Sequence, residues 1–598
     1  MIIIDILQSF LKMIASFVMR VFLNFKRCCM GQSIIRYLVF VGVVVVTVIS
    51  LFLSVFVGGL WFVVVLIFGA LTALGISDLM QTKHAIKRNY PIIGNLRYLF
   101  EELRPAMRQY FFENDNDQTP FSRTERSLVY QRAKQQIDKR PFGTQGDVYG
   151  TDFEWINHSM EPVKPETHDF RITVGSTDCS QPYSLSVFNV SAMSFGALSA
   201  NAVLALNKGA ALGGFAHDTG EGGISRYHLE HGGDLIWNIG SGYFGCNDGK
   251  GNFSEEEFVK RATHPNVKMI EIKLSQGAKP GHGGMLPGAK VTQEIAEARG
   301  IPIGVDCVSP ANHSAFSTPI ELMHFIARLR ELSGGKPVGF KFCIGHAWEW
   351  FAIAKAMLKT GITPDFIVVD GAEGGTGAAP VEFSDHVGTP LREGLRLVHN
   401  TLVGIGLREQ IKLGASGKII TAFDMSRAFA LGADWCNSAR GFMFAVGCIQ
   451  AQVCHTGMCP TGVTTQDPRR QAALVVPDKA VRVRNFHANT LEALAELLGA
   501  AGLTHPGSLR PHHIVKRIAN GEVRLLSALY PDLEKGELLE GRFRMTIFRT
   551  AWPMAQAESF APLYSLSAAL SGNIMPLHGG DDSEDRAIDV QQPVNNPI

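Results

Sequence analysis

A chain of 598 residues is too long for one ordinary hydrophobic core, so two or three folded units are expected. Its net charge of +1 at pH 7 leaves no basic footprint for nucleic acid. Ten cysteines without a dense pairing pattern exclude a secreted disulfide scaffold and suit a reducing compartment.

Residues 2–24 are apolar but carry Asp5, Lys12 and Arg20. They read as an amphipathic segment lying at a membrane interface, within an N-terminal region of residues 1–33. Residues 34–78 read as a transmembrane helical hairpin. No charge occurs from Tyr37 to Ser77, where VFVGVVVVTVISLFLSVFV and LWFVVVLIFGALTALGI flank Gly58-Gly59. About 20 apolar residues cross a bilayer, so the run is long enough for two spans. It is too long, and too far from the start, for a cleaved signal peptide. Arg20, Lys26, Arg27 and Arg36 precede it, and Lys83, Lys87 and Arg88 follow. Basic flanks on both sides place both ends in the cytoplasm, on a membrane expected to be a bacterial inner membrane.

Residues 79–180 form a polar connector broken by Pro91, NDNDQTPFSR and Pro141, with no catalytic constellation. It is expected to pack on the outside of the main domain. From 184 onward, short apolar runs alternate with amphipathic helical stretches. The strand candidates are 184–194, 213–217, 269–277, 301–310, 337–345, 365–375, 411–417 and 434–440. Continuous apolar strands joined by helices indicate a parallel sheet. Eight such units predict an α/β fold, a (β/α)8 TIM barrel over residues 181–480, with chemistry at the C-terminal strand ends. A doubly wound open sheet is the alternative, disfavoured because no GxGxxG follows the first strand.

The expected strand ends carry polar groups among small residues. They include Met193-Ser194, Asp218 to Gly223, Lys273, Gln276, Lys279, Lys341, Asp370 to Gly377, Gly417-Lys418 and Ala439-Arg440. Small residues plus a cation after the last two strands suit a phosphate, with backbone N–H groups as donors. A lysine pointing in from a strand suits the electron-rich edge of a reduced flavin. For any one such lysine an ion pair at the barrel mouth is the commoner explanation. Several together point to a cofactor.

Cys448, Cys454 and Cys459 fall at C-x5-C-x4-C within CIQAQVCHTGMCPTGVTTQ. Thiolates suit iron–sulfur clusters or zinc. A structural zinc wants four ligands, and His455 would be an awkward fourth beside Cys454. Three thiolates on an irregular loop suit a three-iron cluster. Residues 481–578 read as a helical C-terminal extension containing the amphipathic NFHANTLEALAELLGAA, and His512-His513 reads as a capping or surface pair rather than a metal site. The acidic, polar residues 579–598 read as a disordered tail.

SAMSFGALS, HDTGEGG, QGAKPGHGGMLPGAKV, DGAEGGTGAAP and GCIQAQVCHTGMCPTGVTTQDP occur in this order. Together they make residues 180–480 resemble the synthase domain of glutamate synthase, an FMN-binding β/α barrel with a three-iron, four-sulfur cluster. The resemblance implies an oxidoreductase acting on CH–NH2 groups that aminates 2-oxoglutarate through 2-iminoglutarate to glutamate. It implies that Cys448, Cys454 and Cys459 ligate a [3Fe-4S] cluster. It implies FMN contacts from Met193, Ser194, Lys273, Gln276, Lys341, Gly375, Thr376, Gly417, Lys418, Ala439 and Arg440. It places Glu221 and Lys279 as catalytic residues, and Lys279 and Arg299 at the substrate, where two cations suit a dicarboxylate.

The departures matter. Where the family has an N-terminal glutaminase domain this sequence is expected to carry the membrane hairpin instead, so ammonia is expected free or from another protein. The family's GEGGQLPG reads GHGGMLPG, with His282 for an acid and Met285 for an amide. That change keeps open an FMN and iron–sulfur oxidoreductase acting on a different amino or keto acid. No NAD(P)H fingerprint appears, so a ferredoxin or reductase subunit is expected to deliver electrons. A homo-oligomer stays open. A zinc-binding membrane scaffold without catalysis is the third reading, and the glycine-rich strand ends argue against it.

Overall fold

The computed structural model describes residues 36–116 and 119–564, so the expected segments 1–33 and 579–598 lie outside the described residues. The chain divides into two compact units at Asn114/Asp115.

In the first unit, α1 (Leu38–Phe56) and α2 (Leu60–Met80) pair as a hairpin. Gly58 and Gly59 turn it with φ of +65° and +64°, a region glycine enters without the Cβ clash. Thr47 Oγ1 and Thr72 Oγ1 bond across the pair at 2.8 Å. Both helices are long and apolar enough to cross a membrane, with mean hydropathy 2.9 and 2.4. Two further helices follow, α3 (Ala85–Asn89) and α4 (Ile93–Met107). The buried Asp78 carboxylate ties α4 to the end of α2, accepting from Ile92 N at 2.9 Å and Asn95 Nδ2 at 2.5 Å. The stretch 79–180, expected to be one connector, is therefore divided: its first third belongs with the hairpin.

The second unit is a closed parallel barrel of eight strands. They are β1 (Phe188–Val190), β2 (His217–Asp218), β3 (Leu235–Ile239), β4 (Val267–Lys273), β5 (Val338–Phe342), β6 (Phe366–Asp370), β7 (Lys412–Ser416) and β8 (Trp435–Ser438). β8 closes on β1 through Cys436 with Phe188 and Asn437 with Asn189. The predicted fold class and strand number hold, but one strand was misplaced. The third strand is LIWNI at 235–239, wholly buried, which was not among the candidates. Residues 301–310, expected as a strand, lie outside the barrel. Only Cys307–Val308 pairs there, antiparallel with Met285–Leu286. Pro302 has no N–H for a central ladder, and Ile303 and Val305 stay 60% and 54% exposed.

The first predicted strand is also cut. Tyr183–Ser186 pairs antiparallel with Arg171–Val174, and only 188–190 enters the barrel. Val174 and Leu185 of that hairpin join Ala216, Ile236, Met269, Phe366, Val368 and Trp435 in a separate buried cluster. These barrel residues precede the polar ones on their strands, so the cluster fills the N-terminal end of the barrel.

α5 (Ala200–Gly213) follows β1 and packs on α6 (Val476–Ala500), the longest helix among the described residues. Their contact is close: a Cβ on Gly209 would sit 2.4 Å from Val483. Beyond α6 the expected helical extension is mostly short turns, because Pro506, Pro511, Pro531, Gly521, Gly536 and Gly541 interrupt it. Ile514–Arg517 and Val523–Leu525 instead join Glu154–Ile156 in a small antiparallel sheet. His513 Nδ1 accepts from Arg510 N at 3.0 Å, a turn-capping role.

His487 of α6 is buried, lies 3.0 Å from Ser186 Oγ and stacks on Phe215 at 4.0 Å. Burial pulls its pKa down to about 3. A histidine depressed on folding contributes stability that is full above its unfolded pKa of about 6.5 and is lost as pH falls toward its folded value. Between pH 6.5 and 5 this one group removes about 2 kcal/mol at 1.36 kcal/mol per pH unit. His487→Gln is expected to flatten the acid limb of a stability-against-pH curve by about that amount, after its own constant cost. Parallel limbs for variant and parent in denaturant titrations at pH 5, 6 and 7 would contradict this.

Candidate active site

The C-terminal ends of the strands gather two layers of charge. The deeper layer lies between the strands. Glu271 of β4 accepts from Asn238 Nδ2 of β3 at 2.5 Å and has Lys341 Nζ of β5 at 3.6 Å. Asp218 of β2 is within hydrogen-bonding reach of Glu271. All four groups are buried. Asp218 Oδ2 and Glu271 Oε2 have no other partner. Two touching buried acids do not both ionise. Burial, and then the Glu271 charge, push Asp218 well above the usual carboxylate range, so Asp218 holds the proton and donates to Glu271. Burial also raises Glu271, against the pull of Lys341. Lys341 stays charged: burial opposes it, but Glu271, Asp218 and Asp370 outweigh burial.

Above this layer, Lys273 Nζ at the end of β4 bonds Glu221 Oε2 at 2.8 Å. Burial works against the Glu221 charge. Lys273, Arg299 and Lys279 overcome it and hold Glu221 below the usual carboxylate range. Lys279 is lowered by its own burial, partly offset by Glu221. Its Nζ donates to Gly283 O at 2.7 Å. Arg299 is buried under the site, donating from Nη2 to Phe195 O at 3.2 Å and lying over the Phe244 ring at 5.1 Å. Gly284 lets the next loop reach this cluster, since a Cβ there would sit 2.6 Å from Glu221 Oε1 and 2.9 Å from Ser309 Oγ.

Met193 and Ser194 adjoin this cluster, because Gly220 approaches the Ser194 backbone closely enough that a Cβ would be 2.6 Å from its nitrogen. Gln276, half-buried, lies on the loop after β4. Gly277 of that loop packs on the β6 loop so tightly that a Cβ would fall 1.8 Å from Gly371 O. Asp370 Oδ2 fixes the contact by accepting from Gly277 N at 2.8 Å.

A second group of expected residues meets on the far rim. Arg440 Nη2 donates to Gly375 O at 3.1 Å, and Thr376 is exposed beside it. Gly417 is half-buried after β7. Lys418 has φ +47°, is exposed, and places its ammonium over the Phe121 ring at 5.8 Å. Ala439 begins the short helix Arg440–Val446 without a side-chain cap. His282 is exposed and edge-on to Phe383, and Met285 is exposed.

The cysteine loop abuts this rim: a Cβ on Gly377 would lie 3.1 Å from Cys454 Cβ. Cys448 and Cys459 are buried and Cys454 is half-buried. Gln450 and Gln452 both have positive φ, +58° and +57°. Such non-glycine conformations cost about 1–3 kcal/mol each and are held by surrounding structure. Lys290 Nζ braces the loop at His455 O, 2.9 Å away. Among the described residues no group of three or more His, Cys, Asp or Glu is placed to hold a single metal ion.

Sequence reasoning missed Asn238 with its strand, and it missed Glu271, Ser309 and His313. His313 bridges Lys273 O at 2.9 Å and Tyr243 Oη at 3.0 Å, and burial lowers its pKa to about 4, so it is neutral. One signal was present: Glu271 is a lone carboxylate in the apolar run MIEIK, where a buried charge requires a partner.

Residues 153–504 match the model of the conserved region in glutamate synthase. The glutamate synthase large subunit-like protein YerD of Bacillus subtilis is 40% identical over 489 residues, covering 75% of this chain and 93% of YerD. The archaeal glutamate synthase (NADPH) of Methanocaldococcus jannaschii is 39% identical over 319 residues, 53% of this chain. An archaeal-type glutamate synthase (NADPH) of Thermotoga maritima is 36% identical over 328 residues, 54% of this chain. This chain spans 59% and 61% of the length of those two relatives.

Proposed function

The chain belongs to the glutamate synthase family of oxidoreductases acting on CH–NH2 groups, and from that premise we propose that it reductively aminates 2-oxoglutarate through 2-iminoglutarate. Ammonium, two electrons and two protons convert 2-oxoglutarate to glutamate and water. The observation that carries the reading is the Glu221–Lys273 pair at the barrel mouth, ringed by Lys279, Arg299 and Ser309. Three cations around one carboxylate leave excess positive charge, which suits a dicarboxylate. Glu221, held ionised, orients the nitrogen by accepting its N–H groups. Lys279, weakened as a base by burial, is the proton donor.

FMN would be held by Met193, Ser194, Lys273, Gln276 and Lys341 along the ring. Gly375, Thr376, Gly417, Lys418, Ala439 and Arg440 would take its phosphate end. The fit rests on close backbone approaches at Gly220 and Gly277 and on the buried positive charge of Lys341, which Glu271 sustains. When bound, FMN supplies hydride chemistry and accepts electrons singly. Lys341, backed by the proton-sharing Asp218–Glu271 pair, keeps a fixed positive charge under the site. Cys448, Cys454 and Cys459 would ligate a [3Fe-4S] cluster. The two buried thiols and the loop held in left-handed conformations support that assignment. Electrons would come from a separate donor protein, and α1 and α2 would hold the enzyme to a membrane with the barrel in the cytoplasm.

A second reading, the same cofactors on another 2-oxo acid, is favoured by Met285 and His282 alone. The test is anaerobic purification in mild detergent, with flavin and iron assayed on one sample, followed by a 2-oxo acid screen with reduced donor and ammonia. FMN, iron and a preference for 2-oxoglutarate are expected. A preference for a monocarboxylic 2-oxo acid would shift the conclusion to the second reading. A protein that takes up neither flavin nor iron on reconstitution would remove both.

A further inference from the structure

We propose that α4 and the turn after it lie in the plane of the membrane surface, with their apolar side against the acyl boundary and their arginines on anionic phospholipid headgroups. At 100° per residue, Leu96, Leu99, Phe100, Leu103 and Met107 share one stripe of α4. Each is exposed. Phe111 and Phe112 of the following turn are 78% and 74% exposed, and Phe112 lines one cleft with Phe100 and Met107. A continuous apolar surface of this kind marks an interaction site rather than ordinary solvent-facing structure.

Arg97, Arg104 and Arg108 recur at i, i+7 and i+11, which puts them along one border of the stripe. A guanidinium at that border reaches outward to phosphate while its methylenes stay on apolar surface. The three arginines, with Phe100, Glu101, Met107 and Phe112, line an open cavity of about 720 Å³. Glu101 pairs with Arg97 at 3.0 Å, so the cleft carries both signs with positive charge in excess.

The position of α4 favours lipid over a soluble partner. Asp78 binds Ile92 N and Asn95 Nδ2, and Gly94 lets α4 meet the Lys87 backbone, where a Cβ would be 2.9 Å from its Cα. The start of α4 is thereby fixed at the last turn of an apolar helix long enough to span a bilayer, which is where the headgroups would lie. The inference rests on the reading of α1 and α2 as membrane spans.

The test uses the full chain reconstituted into phosphatidylcholine vesicles, with and without phosphatidylglycerol, and brominated phosphatidylcholine as a tryptophan quencher. Leu103→Trp and Glu102→Trp are each compared with the parent, and Trp61→Phe reports how far the native Trp61 in α2 is quenched. The added tryptophan at 103 is expected to be quenched, more so with phosphatidylglycerol, and the one at 102 is not. Arg97→Glu/Arg104→Glu/Arg108→Glu is expected to abolish the phosphatidylglycerol dependence. Quenching of Trp61 with none at 103, or equal quenching at 102 and 103, overturns the inference while leaving the spans in place. Quenching at 103 that ignores both phosphatidylglycerol and the charge reversal overturns its anionic half. An unquenched Trp61 overturns the spanning hairpin and the inference together.

Discussion

Lys341→Met is expected to destabilise the barrel unit by about 3–5 kcal/mol near pH 7.5, the usual cost of removing one partner from a buried ion pair. Lys341 is the cation beneath the mouth, and Glu271, Asp218 and Asp370 all act on it. Met keeps most of the aliphatic volume but leaves the Glu271 charge buried with only Asn238 and the Asp218 proton to stabilise it. The sign with pH follows from the two acids. Asp218 and Glu271 have folded pKa values raised above their unfolded ones, so their contribution is full below about pH 4 and is lost as pH rises through the folded values. Without Lys341 both rise further, and the deficit of the variant should shrink as pH falls from 7.5 toward 5. Guanidinium titrations of parent and variant at both pH values decide it. A deficit under about 1 kcal/mol, the scale of an exposed pair, would show that Lys341 is not balancing a buried charge. A deficit that does not change with pH would show that the acids are not its counterpart. Lys341→Met/Glu271→Gln should recover part of the loss, because contacting residues in one network are not additive.

Glu221→Gln is expected to lower kcat about 10²- to 10⁴-fold, the range for a positioned acid–base or orienting group. The substitution keeps shape and removes the charge that Lys273, Arg299 and Lys279 sustain. It leaves the cations free for the dicarboxylate, so KM for 2-oxoglutarate should fall or hold while kcat drops. An interaction made mainly in the transition state gives that split. Some stability is lost with the Lys273 pair, but flavin content should match the parent and unfolding should stay cooperative, which separates a lost role from a lost fold. Turnover within about three-fold of the parent, under 1 kcal/mol of barrel chemistry, would remove Glu221 from the mechanism.

Much of the molecule was legible before any coordinates. The alternation of apolar runs with amphipathic helices indicated a parallel barrel, because strands covered on both faces must be apolar throughout. The uncharged 37–77 run and its paired glycines indicated a helical hairpin. Glu221, Lys273 and Lys279 were singled out as polar residues near expected strand ends, and the structure brings them together at the barrel mouth.

Other features required the tertiary structure. LIWNI and IPIGV look alike as short apolar runs, and only barrel closure shows that 235–239 takes the ladder while Pro302 and Gly304 keep the other outside. Arg299 reads equally well as a substrate ligand or a support. Its burial and its bond to Phe195 O are set by residues 104 positions away. The Asp218–Glu271–Lys341 layer joins three strands, and no local spacing encodes which side chains of different strands share the barrel interior. Local sequence thus determined period, element type and the residues at strand ends. Strand order and the pairing of buried charges were decided by closure of the sheet, since a charge can be buried only where the rest of the chain supplies its partner.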